Sequence, residues 1–177
     1  MIEKAKEYAI KCHTDTCHYY DTHLYSYHLE MVVDVANKFI HLIPYNKREI
    51  VIASCWTHDL IEDTRITYND LLRVTSKEVA EIVYALTNEK GRTRKERAND
   101  KYYQGIRETA FATFVKVCDR IANIQYSMST RSSMLEMYRK ETPNFIDEIY
   151  DEKYDEMFQY LENLVGLKSI EIISDKN

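Results

Sequence analysis

Glycine and proline are scarce, with 3 Gly and 2 Pro in 177 residues. Strand-rich folds need many tight turns and long helices do not, so the shortage argues against an all-β architecture and for an all-α chain. A positive excess is also missing. The 24 basic and 29 acidic side chains leave a net charge of -5, which argues against gripping a nucleic-acid backbone as the main task. No C-x-x-C pair occurs among Cys12, Cys17, Cys55 and Cys118. Cys55 and Cys118 lie in apolar helical runs, so buried free thiols suited to a reducing cytoplasm are expected. No stretch approaches the apolar length of a membrane span. The segment Met1 to Glu7 alternates charge and lacks the apolar run of a signal peptide. The expectation is a cytoplasmic protein without membrane or nucleic-acid partners, its oligomeric state open.

What is present is ordinary globular material, 45% apolar and 30% charged, in a chain long enough for one domain with its own core. No repeat, linker or composition shift divides it, so a single domain over 1–177 is expected. Its core spans about 2–165, with no element assigned to the tail 167–177.

Apolar periodicity predicts a helix to about His13, a loop over 14–27, and a second helix from His28 to Leu42 ended by Pro44. A third, mostly buried helix is expected over 47–63. Tyr68 to Val74 predicts a brief helix, and Ser76 caps the next one. A charged helix follows over 92–107, then an apolar one over 110–126. Pro143 reads as the start of a last long helix running to about 164 and closed by Gly166.

The most informative stretch is His58-Asp59-Leu60-Ile61-Glu62-Asp63. On a continuous helix His58 and Glu62 stack on one face, with Asp59 and Asp63 beside them. Carboxylates crowded after apolar turns repel one another and resist burial, and a divalent cation resolves that conflict. The adjacent His-Asp pair offers one nitrogen and one oxygen, a mixed set suited to manganese, iron or zinc. Asp119, inside the apolar run Val115 to Ile124, needs a partner of its own.

Three motifs together resemble the HD superfamily of metal-dependent phosphohydrolases, and within it the stringent-response enzymes and small alarmone hydrolases. They are Y-x-x-H at Tyr25 to His28, H-D-x-x-E-D at His58 to Asp63, and V-K-x-x-D-R-x-x-N at Val115 to Asn123. A looser one is L-T-N-E-K at Leu86 to Lys90 with R-K-E-R at Arg94 to Arg97. The resemblance implies a single HD-domain helical bundle with no room for a synthetase half. It also implies one divalent ion, Mn²⁺, held by His28, His58, Asp59 and Asp119. Glu62 and Asp63 match the carboxylates that position and activate the attacking water. Asn123 matches a polar residue beside the nucleotide, and Lys90, Arg94 and Arg97 match a stretch near the substrate phosphates.

The implied substrate is a phosphorylated nucleotide, with the 3'-pyrophosphate of ppGpp leading. The chain departs from the pattern, however. Residues 14–23 hold no Lys or Arg where the alarmone hydrolases carry basic residues, and Leu29 stands where a proline often follows the histidine. A phosphatase acting on NADPH or a dNTP, and a nucleotide sensor without turnover, therefore stay open. His13, His18 and His23 suggest a histidine-bearing substrate loop in preference to a second metal site. Tyr19, Tyr20 and Tyr25 are candidates for stacking on a base. Tyr102, Tyr103 and Trp56 are expected in the core.

Overall fold

Small and apolar residues at helical spacing let the longest helices approach closely. The computed structural model describes residues 1–167, so all of the unassigned tail after Leu167 lies outside the described residues. Helix α1 (Ile2–Asp15) buries Ala5, Ala9, Cys12 and His13, and α2 (Ser26–Lys38) buries His28, Leu29, Val32, Val33, Val35 and Ala36. Every residue from Val51 to Thr57 of α3 (Arg48–Thr57) is buried. Helix α2 packs against α3, and α3 also packs against α1. Further along, α4 (Leu60–Asp63), α5 (Tyr68–Val74) and α6 (Lys77–Leu86) follow in quick succession. Next come α7 (Arg94–Arg97), α8 (Asp100–Glu108) and the 18-residue α9 (Ala112–Ser129), which lies against α2. The last two are α10 (Met134–Ile149) and α11 (Asp155–Val165). Phe39, Phe114, Phe145 and Phe158 are fully buried among them. The all-helical expectation holds, with Tyr102, Tyr103 and Trp56 in the core and Cys55 and Cys118 as buried free thiols. Among the described residues no helix is long and apolar enough to cross a membrane.

Several boundaries differ from the sequence expectation for local reasons. Residues 14–27 are not all loop: β1 (Tyr19–Tyr20) and β2 (His23–Leu24) pair antiparallel across a turn in which Asp21 has φ 54. Helix α2 begins at Ser26 and stops at Lys38, and a 3₁₀ turn, Ile40–Leu42, replaces its expected last residues. The expected helix over 47–63 is broken between α3 and α4. There the Thr57 hydroxyl donates to the Ala53 carbonyl (2.8 Å) and His58 Nδ1 to the Cys55 carbonyl (2.9 Å). Such side-chain bonds compete with the helical ladder for its acceptors. The expected helix over 92–107 is also two. Thr93 caps α7 in a capping box with Glu96, and the Asn99 side chain then accepts from the Tyr102 amide to start α8.

Pro143 does not start a helix but lies inside α10. Tyr138, Thr142, Phe145 and Ile149 form one buried stripe along α10, and burying it offsets the backbone donor that proline lacks. The chain then turns at Tyr150 and a 3₁₀ segment, Glu152–Tyr154, before α11. Gly166 ends α11 as expected, in the left-handed region at φ 74.

Candidate active site

Three places in the chain converge on one buried spot. His28 occupies the first turns of α2, His58 and Asp59 occupy the break between α3 and α4, and Asp119 lies midway along α9. His28 and His58 are 1% and 2% exposed, so their ring nitrogens have no access to bulk water. His28 Nε2 lies 3.3 Å from Asp119 Oδ1 and 3.7 Å from Asp59 Oδ2. His58 Nε2 lies 2.9 Å from Asp59 Oδ2 and 3.8 Å from Asp119 Oδ1. One ligand atom each from His28, His58 and Asp119 falls within 4.8 Å of the others. Asp59 itself lies in the break after α3, with φ -98 and ψ 1.

The donors fit a divalent cation. Because His58 Nδ1–H donates to the Cys55 carbonyl, Nε2 presents a lone pair to the cluster. That buried Nε2 has no hydrogen-bond partner, and a buried acceptor left unpaired is costly unless something else occupies it. The electrostatics agree. Burial alone would lower the His58 group, but Asp59 and Asp119 outweigh it and raise it to about 9. Against the upward effect of burial, His58 holds Asp59 well below the usual carboxylate range, and Lys116 with the two histidines does the same for Asp119. A cluster with these preferences favours a positive charge at its centre.

The surrounding contacts fix the ligands. The Tyr25 hydroxyl donates to Asp59 Oδ2 and lies 3.5 Å from Asp63 Oδ2. The rings of His13 and His18 stack on Tyr25, with centroids 4.3 and 4.0 Å away, while their Nδ1 atoms are 3.0 Å apart. His23 instead stacks on Tyr27. The buried partner required for Asp119 is Lys116, whose Nζ donates to Oδ2 at 3.1 Å, and Arg120 turns away to Glu141. Asn123 Nδ2 donates to Asp119 Oδ1 (2.6 Å), and Tyr20 donates to Asn123 Oδ1 (2.8 Å).

Above this floor opens a cleft of about 660 Å³, a size suited to a nucleotide-scale ligand. Asp59, Glu62, Asp63 and Asp119 line one side, and Arg94, Lys95, Arg97, Arg120 and Lys140 line the rest with Glu141 among them. Glu62 does not stack with His58 on one continuous helix, since the break separates them. Its carboxylate instead accepts from the Asn88 amide (3.2 Å) and Asn88 Nδ2 (2.7 Å). Arg94 and Arg97 reach the cleft, while Lys90 is exposed and outside its lining. Arg94 is itself held by Glu141, Nε to Oε1 at 2.8 Å. Tyr20 and Tyr25 line the cleft, whereas Tyr19, 56% exposed, does not.

Sequence reasoning assigned no role to Asn88, Lys116 or Lys140. The first two stand within the L-T-N-E-K and V-K-x-x-D-R motifs; Lys116, a charge between Val115 and Val117, carried a signal, whereas Asn88 sits among polar neighbours and did not. Lys140 carried no such signal.

Asp63 has a testable electrostatic signature. Burial, then the charges of Asp59 and Glu62, push its carboxyl up to about 7 from an ordinary 3.8. The folded state therefore binds a proton that the unfolded state releases, and stability falls as pH rises between those values. In metal-free protein, Asp63→Asn should raise the melting temperature above pH 7 and leave it unchanged below pH 4. Thermal unfolding in EDTA across that range measures this, and an equal effect at both ends would contradict the assignment.

The all-helical arrangement agrees with the architecture that the motif resemblance implied, and a solved structure shares its fold. The chain is similar to the solved structure of a metazoan ortholog of SpoT, a protein that hydrolyzes ppGpp and plays a role in starvation responses. The TM-score is 0.69 over 94% of this chain and 96% of that one, at 16% identity. No family model matches the chain, and no curated protein matches it in sequence.

Proposed function

We propose that this protein is a divalent-metal-dependent phosphohydrolase acting on a phosphorylated nucleotide, with the 3'-pyrophosphate of ppGpp the leading substrate. The observation that carries this reading is the convergence of His28, His58, Asp59 and Asp119 on one buried spot at the floor of the cleft. These four residues would hold the ion, Mn²⁺ in the cytoplasm on this reading. A divalent ion there would make water nucleophilic near neutral pH and polarise a phosphoryl oxygen.

The chain's own groups supply the rest. Asp63, which lines the cleft within 3.5 Å of the Tyr25 hydroxyl, accepts the proton of the attacking water, and Glu62, anchored by Asn88, aligns that water. Arg94 and Arg97 neutralise phosphate charge across the cleft, with Lys90 at its periphery. Asn123 stands beside the nucleotide, and Tyr20 offers a ring for its base. The ppGpp hydrolysis of the structural relative supports this substrate. A second reading, a phosphatase on NADPH or a dNTP, is favoured by one feature: the hairpin segment 14–24 lines the site with tyrosine and carries no Lys or Arg. A sensor without turnover is disfavoured because all four candidate ligands and both acidic partners are present.

The test is a screen of purified protein with Mn²⁺ against ppGpp, pppGpp, NADPH and dNTPs. Release of pyrophosphate from ppGpp, abolished by EDTA and restored by Mn²⁺, is the expected result. Orthophosphate from NADPH would move the assignment to the second reading, and binding without products would overturn catalysis.

A further inference from the structure

Of the six cationic side chains that line the cleft among the described residues, Lys116 is the one bonded to Asp119. Its side chain is 18% exposed and that of its carboxylate partner Asp119 13%. Putting an ammonium there costs desolvation, which a purely structural role would have to recover from its contacts alone. Those contacts leave part of the group free. An ammonium has three donors. One goes to Asp119 Oδ2 at 3.1 Å, and the ring of Tyr102, whose own hydroxyl donates to the Leu86 carbonyl at 3.2 Å, lies 5.9 Å from the ammonium. Beyond Asp119 the ammonium has no hydrogen-bond acceptor among the described residues, which leaves an N–H free where Lys116 lines the cleft.

The two oxygens of Asp119 divide the work. Oδ1 faces His28 at 3.3 Å and takes the Asn123 amide, whereas Oδ2 takes Lys116. Lys116 thus stands on the opposite side of the same carboxylate from the histidines, beside the candidate ion site and not in it. Among the described residues, none of the cleft's arginines is bonded to Asp119. Arg94 and Arg120 are committed to Glu141, and Arg97 belongs to the α7 wall.

Charge makes the need for it plain. Asp59, Glu62, Asp63 and Asp119 crowd the floor where an anionic phosphoryl group would have to enter. One divalent ion cannot neutralise four carboxylates. A fixed ammonium at that point lowers the repulsion and offers a hydrogen bond to the oxygen on which charge grows.

We propose that Lys116 is a catalytic residue that donates its free N–H to a non-bridging oxygen of the phosphoryl group under attack. This rests on the phosphohydrolase reading above. The bond from water to phosphorus forms as the phosphorus–oxygen bond to the leaving group breaks; Asp63 takes the water's proton, the leaving oxygen departs with the electron pair and is protonated from solvent, and Lys116 keeps its own proton throughout.

The test uses Lys116→Met, with Lys116→Gln as the second variant if the first does not fold, and two measurements. The first is steady-state hydrolysis of the best substrate from the screen. Turnover should fall about 100-fold, the usual loss for one oxyanion donor, with KM changed far less. The second is calorimetric titration of Mn²⁺, and then of inorganic pyrophosphate, into the variant. Mn²⁺ affinity should be retained while pyrophosphate affinity falls about tenfold, as expected for one charge-assisted hydrogen bond. Loss of Mn²⁺ binding together with activity would make Lys116 a positioning residue for Asp119 and overturn the proposal. So would unchanged pyrophosphate affinity. If unsubstituted protein turns over no nucleotide, the phosphohydrolase reading fails, and the pyrophosphate titration alone decides whether Lys116 grips phosphate.

Discussion

Asp119→Ala is expected to abolish Mn²⁺ binding and hydrolysis together. The carboxylate is the one group in contact with both faces of the site: its Oδ1 lies 3.3 Å from His28 and its Oδ2 3.1 Å from Lys116. Losing several kcal/mol of charge stabilisation on the phosphoryl group corresponds to a rate loss of about a thousandfold or more. The fold should suffer as well. Removing the carboxylate leaves Lys116 and Asn123 without their shared partner, and breaking a buried pair from one side costs about 3–5 kcal/mol. Asp119→Asn separates the two effects, because it keeps the shape and an acceptor for Lys116. Mn²⁺ titration followed by calorimetry, beside thermal unfolding with and without Mn²⁺, reads both. Wild-type protein should melt at higher temperature with Mn²⁺, since a ligand of the native state stabilises it. Neither variant should show that shift. A variant that keeps the Mn²⁺-dependent shift would remove Asp119 from the ligand set.

Glu62→Gln should leave Mn²⁺ affinity near the wild-type value while turnover falls about 100- to 10,000-fold, the range for losing a positioned proton-handling group. Gln keeps the length and one acceptor for Asn88, which holds the native carboxylate by bonds of 3.2 and 2.7 Å. The substitution therefore tests the charge, not the packing. Turnover near wild type would refute the role and shift proton handling to Asp63, whose carboxyl is already pushed up to about 7. Comparing Glu62→Gln with Asp63→Asn across pH then apportions the two. If Asp63 accepts the proton, its replacement should flatten the acidic limb of the rate profile, and Glu62→Gln should lower the profile without changing its shape.

Much of the architecture was legible because helical periodicity is a local property. Apolar residues every three or four positions located α1, α2, α3, α6 and α9, and Ser76 and Gly166 marked ends through the backbone groups they satisfy or the φ they permit. The misjudged boundaries share one cause. At Thr57–His58, at Asn99 and at Pro143, helix breaks or continuations depend on side-chain hydrogen bonds and on burial against other helices. Single-residue preferences do not encode those contacts. The break at His58–Asp59 matters most, since a continuous helix would have stacked Glu62 beside His58.

Composition and periodicity were enough for the helical class, and the resemblance of the sequence's motifs to the HD superfamily implied His28, His58, Asp59 and Asp119 as a candidate set, while burial chemistry alone said only that Asp119, inside an apolar run, needs a partner. Packing set the rest: that His28, His58 and Asp119 bring ligand atoms within 4.8 Å of one another with Asp59 2.9 Å from His58, that Lys116 and not Arg120 pairs with Asp119, that Lys90 stays outside the cleft, and that Asn88 holds Glu62. Those outcomes turn on distances between segments up to about a hundred residues apart, which chain-local preferences do not specify and the packing of α2, α3 and α9 around one core does.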